Sequence, residues 1–218
     1  MRMKGAKASL RRAFAPWFQR PLVPGDGSRR NEANNMELVV RKAKKADLDA
    51  ALEYFDQIVD DMEHAEYTSK WVRGVYPSRA MVEGHIKEGG LYLAFFAEDP
   101  GKIVGTFVLN HRHAIGYEQA PWQVEAADEE VLVMHLVSVS YRVHKQGVGT
   151  KLMHLAMEEA RRLQARAIRL EVVDGNVPAC RLYERAGFVH IATADLVYPG
   201  YESYGPSRSE LYELPLEG

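Results

Sequence analysis

A glycine-rich turn is the first segment whose residue types and spacing could do chemistry. It runs Val137-Ser-Val-Ser-Tyr-Arg-Val-His-Lys-Gln-Gly-Val-Gly-Thr-Lys-Leu152, with glycines at 147 and 149. A glycine has no Cβ, so a ligand can approach the backbone closely. Free N–H groups and the dipole at the start of the following helix favour an anion such as a pyrophosphate. It is neither a dinucleotide fingerprint nor a Walker loop. A tight turn without a ligand is the alternative.

A second segment supplies a more specific pattern. It runs Asn176-Val-Pro-Ala-Cys-Arg-Leu-Tyr-Glu-Arg-Ala-Gly-Phe188. Together the two segments resemble the GCN5-related N-acetyltransferase (GNAT) family. The first is similar to that family's acyl-CoA loop, and the second to its Asn-x-x-Ala-x-x-Leu-Tyr-x-x-x-Gly-Phe signature. The resemblance covers roughly residues 36–218 and is strongest over 131–190.

The resemblance implies an acetyl-CoA site. Backbone groups of Val137 and Val139 would hold the pantetheine arm, and the side-chain amide of Asn176 would contact it. The N–H groups that would hold the pyrophosphate belong to His144, Lys145, Gln146, Gly147, Val148, Gly149 and Thr150. The family usually has Gln or Arg at the position of His144, which leaves side-chain support for the adenosine phosphates open.

Acetyl transfer to an amine needs a proton donor for the leaving thiolate. Tyr183 lies four residues after Ala179 and so shares its helical face. The resemblance puts a tyrosine hydroxyl beside the thioester sulfur, where a neutral phenol could protonate it. The alternative is a tyrosine that packs its ring on the sheet.

The amine must also lose a proton, and His135 is the candidate base. It interrupts an apolar run from Val131, and its position four before Val139 is similar to that of a histidine in arylalkylamine acetyltransferases. A histidine pKa near ~6.5 suits this task. A packing histidine with one satisfied hydrogen bond is an equal alternative. Glu130 and Glu171 are the fallback bases, although Glu171 is more simply a solvated or ion-paired strand residue.

Three other groups could carry chemistry. Cys180 could form an acyl-enzyme, but a small helical cysteine usually packs, so direct transfer is favoured. His111 and His113 have metal-like spacing without a third ligand, so no metal is predicted. Aromatic residues that could wall an acceptor pocket fall in three places: Tyr67, Trp71 and Tyr76; Tyr117 and Trp122; and Tyr198, Tyr201 and Tyr204.

An acceptor carboxylate could bind Arg73, Arg79 or Arg112. Loop packing and a subunit interface are the simpler reading of the aromatic residues.

The elements that must position these groups follow from the hydrophobic pattern. We expect an α/β fold, the GNAT fold, with a mixed and mostly antiparallel sheet, a parallel central pair and helices on both faces. Strands are predicted at 36–41, 91–97, 103–110, 131–139, 168–173, 188–191 and 211–214, with a turn at 99–102. Helices should follow caps at Asp47 and Ser78 and run over 148–163 and 177–186, the last ended by Gly187. Strands that alternate with helices predict parallel pairing in the second half.

Charge divides the chain at residue 35. Residues 1–35 carry eight basic and two acidic side chains, and residues 36–218 carry 20 basic and 28 acidic ones. The leader is typical of an organellar transit peptide, a basic membrane-surface arm or a tail before a start at Met36. The acidic body disfavours nucleic acid, no stretch is long enough for an integral membrane helix, and a single cysteine indicates a cytoplasmic protein.

These observations predict an acetyl-CoA-dependent N-acetyltransferase that acetylates a primary amine of a small molecule or peptide in a ternary complex. Acetyl-CoA would be a co-substrate, and a homodimer is possible. The alternative is a non-catalytic acyl-CoA-binding sensor or assembly module.

Overall fold

Seven strands form one sheet in the computed structural model, which describes residues 37–62, 65 and 69–216. The strands are β1 (Leu38–Lys42), β2 (Leu91–Phe96), β3 (Asp99–Asn110), β4 (Val131–Val139), β5 (Ala167–Val173), β6 (Val189–Leu196) and β7 (Ser207–Pro215). The α-helices are α1 (Leu48–Met62), α2 (Arg79–Lys87), α3 (Val148–Arg162) and α4 (Val177–Arg185). The strand order is β1-β2-β3-β4-β5-β7-β6.

The pairing is mixed, as predicted. β4 and β5 are parallel, while the other neighbouring pairs are antiparallel. The wider expectation of parallel pairing throughout the second half is wrong. β7 returns between β5 and β6 and pairs antiparallel with both; the connection from β6 to β7 contains no α-helix that could carry the chain across the sheet for a parallel return.

Helices cover both faces of the sheet. The apolar stripe of α3, which includes Val148, Leu152 and Ala156, packs with residues of α4 against one face. α1 and Val82 of α2 pack against the other face over β2 and β3. Beside them, residues 111–130 and the end of β6 cover β4 and β7 around Tyr117. The sheet is therefore buried on both sides, which explains the continuous apolar runs of β2 and β4.

The two predicted helix caps have different outcomes: one is wrong and one is confirmed. Asp47 does not cap α1 but ends a preceding 3₁₀ turn, where its carboxylate accepts hydrogen bonds from the Lys44 N–H and Arg41. Ser78 caps α2 through a bond from the Met81 N–H.

The predicted turn at 99–102 instead belongs to β3. Phe96 pairs with Asp99 and Phe95 with Ile103, so the residues between bulge out of the ladder.

A bulge in β4 changes which side chains point to each face of the sheet. Leu136 has φ of +47°, and the register with β3 shifts by one residue there. Before the bulge Met134 packs on the α3 side and His135 faces the opposite side; after it Val137 faces the α3 side. A one-residue insertion exchanges the two faces of a strand.

The parallel pair is short. Only Val131, Leu132 and Val133 of β4 pair with β5, opposite residues 167–169. β5 remains paired with β7 along its whole length. The sheet therefore opens between the C-terminal halves of β4 and β5.

The leader, residues 1–35, lies outside the described residues, so the division at residue 36 stays a prediction. Within the described ranges, no helix combines the length and apolar character needed to cross a membrane. The cytoplasmic location and the homodimer also stay predictions.

Candidate active site

A cavity of about 500 Å³ occupies the opening between β4 and β5. Met134, Val137 and Tyr183 line it from the side of α3 and α4. His135 and Glu171 line it from the opposite side of the sheet. The cavity therefore crosses the sheet, and two reactants could meet in it from opposite faces.

The predicted anion-binding turn forms the start of α3. Lys145 (φ +62°) and Gly147 (φ +77°) adopt left-handed conformations that turn the chain into the helix. The first backbone hydrogen bond of the helix runs from the Lys151 N–H to the Gly147 carbonyl. The N–H groups of Val148, Gly149 and Thr150 thus point out of the helix end, as anion binding requires.

The backbone N–H and the ring of His144 both make contacts within the turn. Its N–H donates to the Tyr141 carbonyl (3.2 Å), and its ring stacks on Tyr141. Nε2 donates to the Val139 carbonyl (2.9 Å), a group that the resemblance assigns to the pantetheine arm. That carbonyl therefore has one lone pair left for a ligand.

The protein itself leaves room for a side chain at Gly149. A Cβ built there would lie 3.5 Å from Leu182 Cδ1 and 3.9 Å from Val139 Cγ2, which are ordinary contacts. The packing of the protein therefore does not require glycine at this position. The missing side chain instead widens the path between β4 and α4.

Tyr183 is held by the end of α4. The N–H of Phe188 bonds to the Tyr183 carbonyl and the N–H of Gly187 (φ +98°) to that of Glu184, which confirms the predicted glycine stop. The Tyr183 ring packs against Phe188 and is 6% exposed. Burial, together with the charge of Glu171, raises the pKa of Tyr183, so its hydroxyl stays protonated at neutral pH.

Asn176 caps the other end of α4. Its Oδ1 accepts from the Ala179 N–H, and the residue lines the cavity. Because Oδ1 is used in the cap, the side-chain NH₂ is the group left to face a ligand.

His135 is anchored by one ring nitrogen. Nε2 lies 3.1 Å from the Arg112 carbonyl and 3.2 Å from Asn110 Oδ1. Both partners are acceptors, since Asn110 Oδ1 also receives the Arg112 N–H, so Nε2 carries hydrogen. Nδ1 faces Glu171 Oε1 at 3.5 Å. With hydrogen on Nε2, Nδ1 is the acceptor nitrogen of a neutral His135, and a proton taken up at Nδ1 would face the Glu171 carboxylate.

Glu171 is buried at the centre of this side. Its carboxylate accepts a hydrogen bond from Tyr117, and its side chain is only 8% exposed. Burial alone would raise its pKa, but the interactions with His135 and Tyr117 outweigh that effect and lower it. The expectation of a solvated residue is wrong, because Glu171 is buried and its Oε1 lies within ion-pair distance of His135 Nδ1. In sequence, the alternation of Arg169 and Glu171 with apolar residues already indicated two charges on one face of β5.

Other candidates lie away from the cavity. Glu130 accepts from the Ala127 N–H and pairs with Arg166 at the opposite end of β4, so it is a poor base. Cys180 packs on the core of α3 and α4 and is not among the described residues that line the cavity.

The predicted carboxylate-binding arginines have other partners. Arg73 pairs with Asp56 and Asp60, Arg79 with Asp49, and Arg112 with Glu88. Among the described residues, Lys70 and Arg208 are the lysine and arginine that line the cavity.

The histidine pair also serves packing. His111 Nδ1 contacts the Val131 carbonyl, while His113 is half-buried against Tyr117, so the expectation of an exposed hairpin end is wrong for His113. Among the described residues, no group of three His, Cys, Asp or Glu side chains could hold a metal ion.

The aromatic residues divide between two roles. Trp71, Tyr76, Tyr198 and Tyr201 line the cavity. Tyr117 and Trp122 instead pack behind Glu171. Tyr67 and the side chain of Tyr204 are outside the described part.

A buried ion pair, absent from the sequence predictions, fixes the segment that carries Tyr117. Arg169 Nε donates to Glu213 Oε1 (3.0 Å), and Arg169 lies over the Trp122 ring. Glu213 Oε2 accepts from the N–H groups of Gln123 and Val124. Strands β5 and β7 thereby hold residues 117–124 against Glu171.

Comparisons with known proteins find relatives of this chain in sequence and in fold. A family model described as the acetyltransferase (GNAT) family matches residues 55–188. Streptothricin acetyltransferase A of Bacillus subtilis (strain 168) is 30% identical over 118 residues, which are 53% of this chain. The match covers 62% of that relative's length, less than two thirds of it.

Solved structures share the fold. A GNAT-family acetyltransferase from Streptococcus pneumoniae superposes with a TM-score of 0.58 at 20% identity, over 83% of this chain and all of that one. The Salmonella typhimurium protein yncA, solved with its cofactor acetyl-CoA, has a TM-score of 0.54 at 19% identity, over 83% of this chain and 94% of that one.

Proposed function

The chain belongs to the GNAT family of acetyltransferases, and from this premise we propose that it is an acetyl-CoA-dependent N-acetyltransferase. The observation that carries the proposal is the cavity across the sheet, with Tyr183 on one side and the His135–Glu171 pair on the other. A proton donor and a proton acceptor on opposite sides of one cavity match the two proton transfers that acetylation of an amine requires.

The cofactor side would be built from backbone groups. The N–H groups at the start of α3 would bind the pyrophosphate, with Lys145 beside them. The side-chain NH₂ of Asn176 and the backbone of Val137 would orient the arm that reaches the cavity. When bound, acetyl-CoA supplies an acetyl thioester, whose carbonyl carbon accepts the amine and whose sulfur leaves.

His135 and Tyr183 would then divide the proton transfers. His135 Nδ1 takes one proton from the ammonium, and the neutral amine attacks the carbonyl carbon. As the C–N bond forms and the C–S bond breaks, Tyr183 gives its proton to the sulfur. Tyr183 regains the second amine proton, and the first leaves through His135 to solvent. The route is direct, so it forms no acetyl-enzyme; one trapped on Cys180 would contradict it.

The test is release of free thiol from acetyl-CoA in the presence of primary amines. The panel holds small amines, a peptide with a free amino terminus, and streptothricin, which the name of the Bacillus subtilis relative suggests. We expect thiol release that depends on the amine, with an acetylated amine identified by mass spectrometry. Acetyl-CoA binding without release for any amine would favour the acyl-CoA-binding sensor instead.

A further inference from the structure

We propose that the acceptor side of the cavity is a cation-binding cage, in which aromatic rings and the Glu171 carboxylate select acceptors that arrive as ammonium ions. This inference rests on the proposed function for its role in catalysis, but the binding it describes can be measured without turnover. The cage consists of Trp71, Tyr76, Tyr198, Tyr201 and Glu171, all of which line the cavity.

Two connecting segments bring the rings together. Trp71 and Tyr76 lie between α1 and α2, and Tyr198 and Tyr201 lie between β6 and β7. Tyr76 is the central ring: its centroid lies 6.1 Å from that of Trp71, 6.5 Å from Tyr198 and 5.4 Å from Tyr201. The interplanar angles lie between 59° and 73°: Tyr76 meets Trp71 and Tyr201 edge to face, and Tyr198 at a tilt, so none of these pairs is stacked.

The two segments are also joined by a hydrogen bond. The Tyr201 hydroxyl donates to the Val75 carbonyl at 2.9 Å. The rings are therefore held as one wall of the cavity rather than on two independent loops.

With His135 neutral, as the proposed mechanism requires, the charge inside this wall is negative. Burial and the nearby charge of Glu171 raise the pKa values of Tyr76 and Tyr198, so these phenols are neutral near pH 7. Glu171 is buried, whereas Lys70 and Arg208, the lysine and arginine among the described residues of the lining, are exposed. Water and salt screen exposed charges more than buried ones, so the carboxylate dominates the interior.

Both features attract the same ligand. The face of an aromatic ring is negative and binds a cation, and a carboxylate does the same. Acetylation converts the ammonium into a neutral amide, which loses both attractions. The cage would thus bind the substrate more tightly than the product, and would favour product release.

The test compares choline with 3,3-dimethyl-1-butanol, which has the same shape without the charge. The full chain is titrated with each by calorimetry in the absence of acetyl-CoA. We expect choline to bind at least about fivefold more tightly than the alcohol. Equal binding of the two compounds, or binding of neither, would overturn the cage.

Substitutions of Tyr76 and Glu171 test whether choline binds in the cage. Tyr76→Leu and Glu171→Gln should each weaken choline binding about five- to tenfold. Tyr76→Phe keeps the ring and should bind choline as the unaltered protein does. Unchanged choline affinity in both Tyr76→Leu and Glu171→Gln would contradict the cage.

Two readouts separate this proposal from the proposed function. Stabilisation by acetyl-CoA serves as the fold control in every variant, because these residues are on the acceptor side. Choline binding without acetylation of any amine would support the cage and contradict the enzyme. Acetyl transfer without choline binding would support the enzyme and contradict the cage.

Discussion

Tyr183 and His135 face the same cavity from opposite sides of the sheet, and this arrangement allows a separate test of each proton transfer. Tyr183→Phe keeps the ring that packs on Phe188 and removes only the hydroxyl. We expect kcat to fall by about 10²-fold with little change in the affinity for acetyl-CoA, because a lost general acid costs about this much. Steady-state kinetics and calorimetric binding measure the two quantities. A kcat within threefold of the unaltered enzyme would remove Tyr183 from the mechanism.

Gly149 tests the cofactor path at a position where the protein itself tolerates a side chain. Gly149→Ala should change the free energy of unfolding by less than about 1 kcal/mol, since alanine has a higher helix propensity than glycine and the added Cβ makes only ordinary contacts. Its affinity for acetyl-CoA should fall by at least tenfold, because the Cβ would narrow the path beside Val139. Gly84→Ala, in α2 with nothing near its Cβ, is the matched control. Equal cofactor affinity of the two variants would contradict the assigned path.

His85 makes stability depend on pH. Burial, and then the charges of His135 and Arg112, lower its pKa from about 6.5 to about 4. Between these values the unfolded chain binds a proton that the folded protein excludes, so stability falls as the pH drops from about 6.5 to 4. His85→Gln cannot titrate and should lose less stability over that interval. Thermal unfolding at pH 7 and pH 5 measures both losses; an equal loss in the two proteins would show that His85 is not responsible.

The residues that the sequence could identify are those of local motifs. Asn176, Tyr183 and the turn at Gly147 and Gly149 belong to two short segments whose spacing carries their role. Glu171 could be named only as a fallback, because its partners His135 and Tyr117 come from other elements. Arg169 and Glu213 are 44 residues apart, and their pairing depends on the insertion of β7 beside β5.

At the scale of elements, the connection between β3 and β4 depends on the ion pair beneath it. Glu213→Gln leaves Arg169 buried beside a neutral group and weakens the bonds to Gln123 and Val124. Breaking a buried ion pair costs about 3–5 kcal/mol. We expect a loss of this size in urea unfolding and a higher KM for the acceptor, because Tyr117 lies on the same segment.

Glu129→Gln, an exposed change on the same connection, should leave both quantities unchanged. A Glu213→Gln protein as stable as Glu129→Gln would mean that the ion pair does not anchor the segment.

The order and type of the elements followed from hydrophobic periodicity, because buried strands and amphipathic helices have different repeats. The bulge at Leu136 did not, since leucine at φ +47° carries no sequence signal. The sequence also did not reveal how many residues of β4 pair with β5. It depends on where β4 separates from β5, and that depends on the packing of both faces. The cavity exists because of these two features.

At the scale of the whole molecule, the opening in the sheet joins a cofactor side built from α3 and α4 to an acceptor side built from aromatic loops. Everything proposed for catalysis depends on acetyl-CoA entering this opening from the α3 side. The side chain of His144, which occupies one acceptor of β4, must leave room for it.

Thermal unfolding of the full chain at increasing acetyl-CoA concentrations tests this dependence most directly. A specific ligand at 100 times its Kd stabilises a protein by about 2.7 kcal/mol, which raises Tm by several degrees for a chain of this size. We predict a Tm that rises steadily with acetyl-CoA concentration. An unchanged Tm at millimolar acetyl-CoA would contradict the cofactor site and, with it, the proposed acetyltransferase.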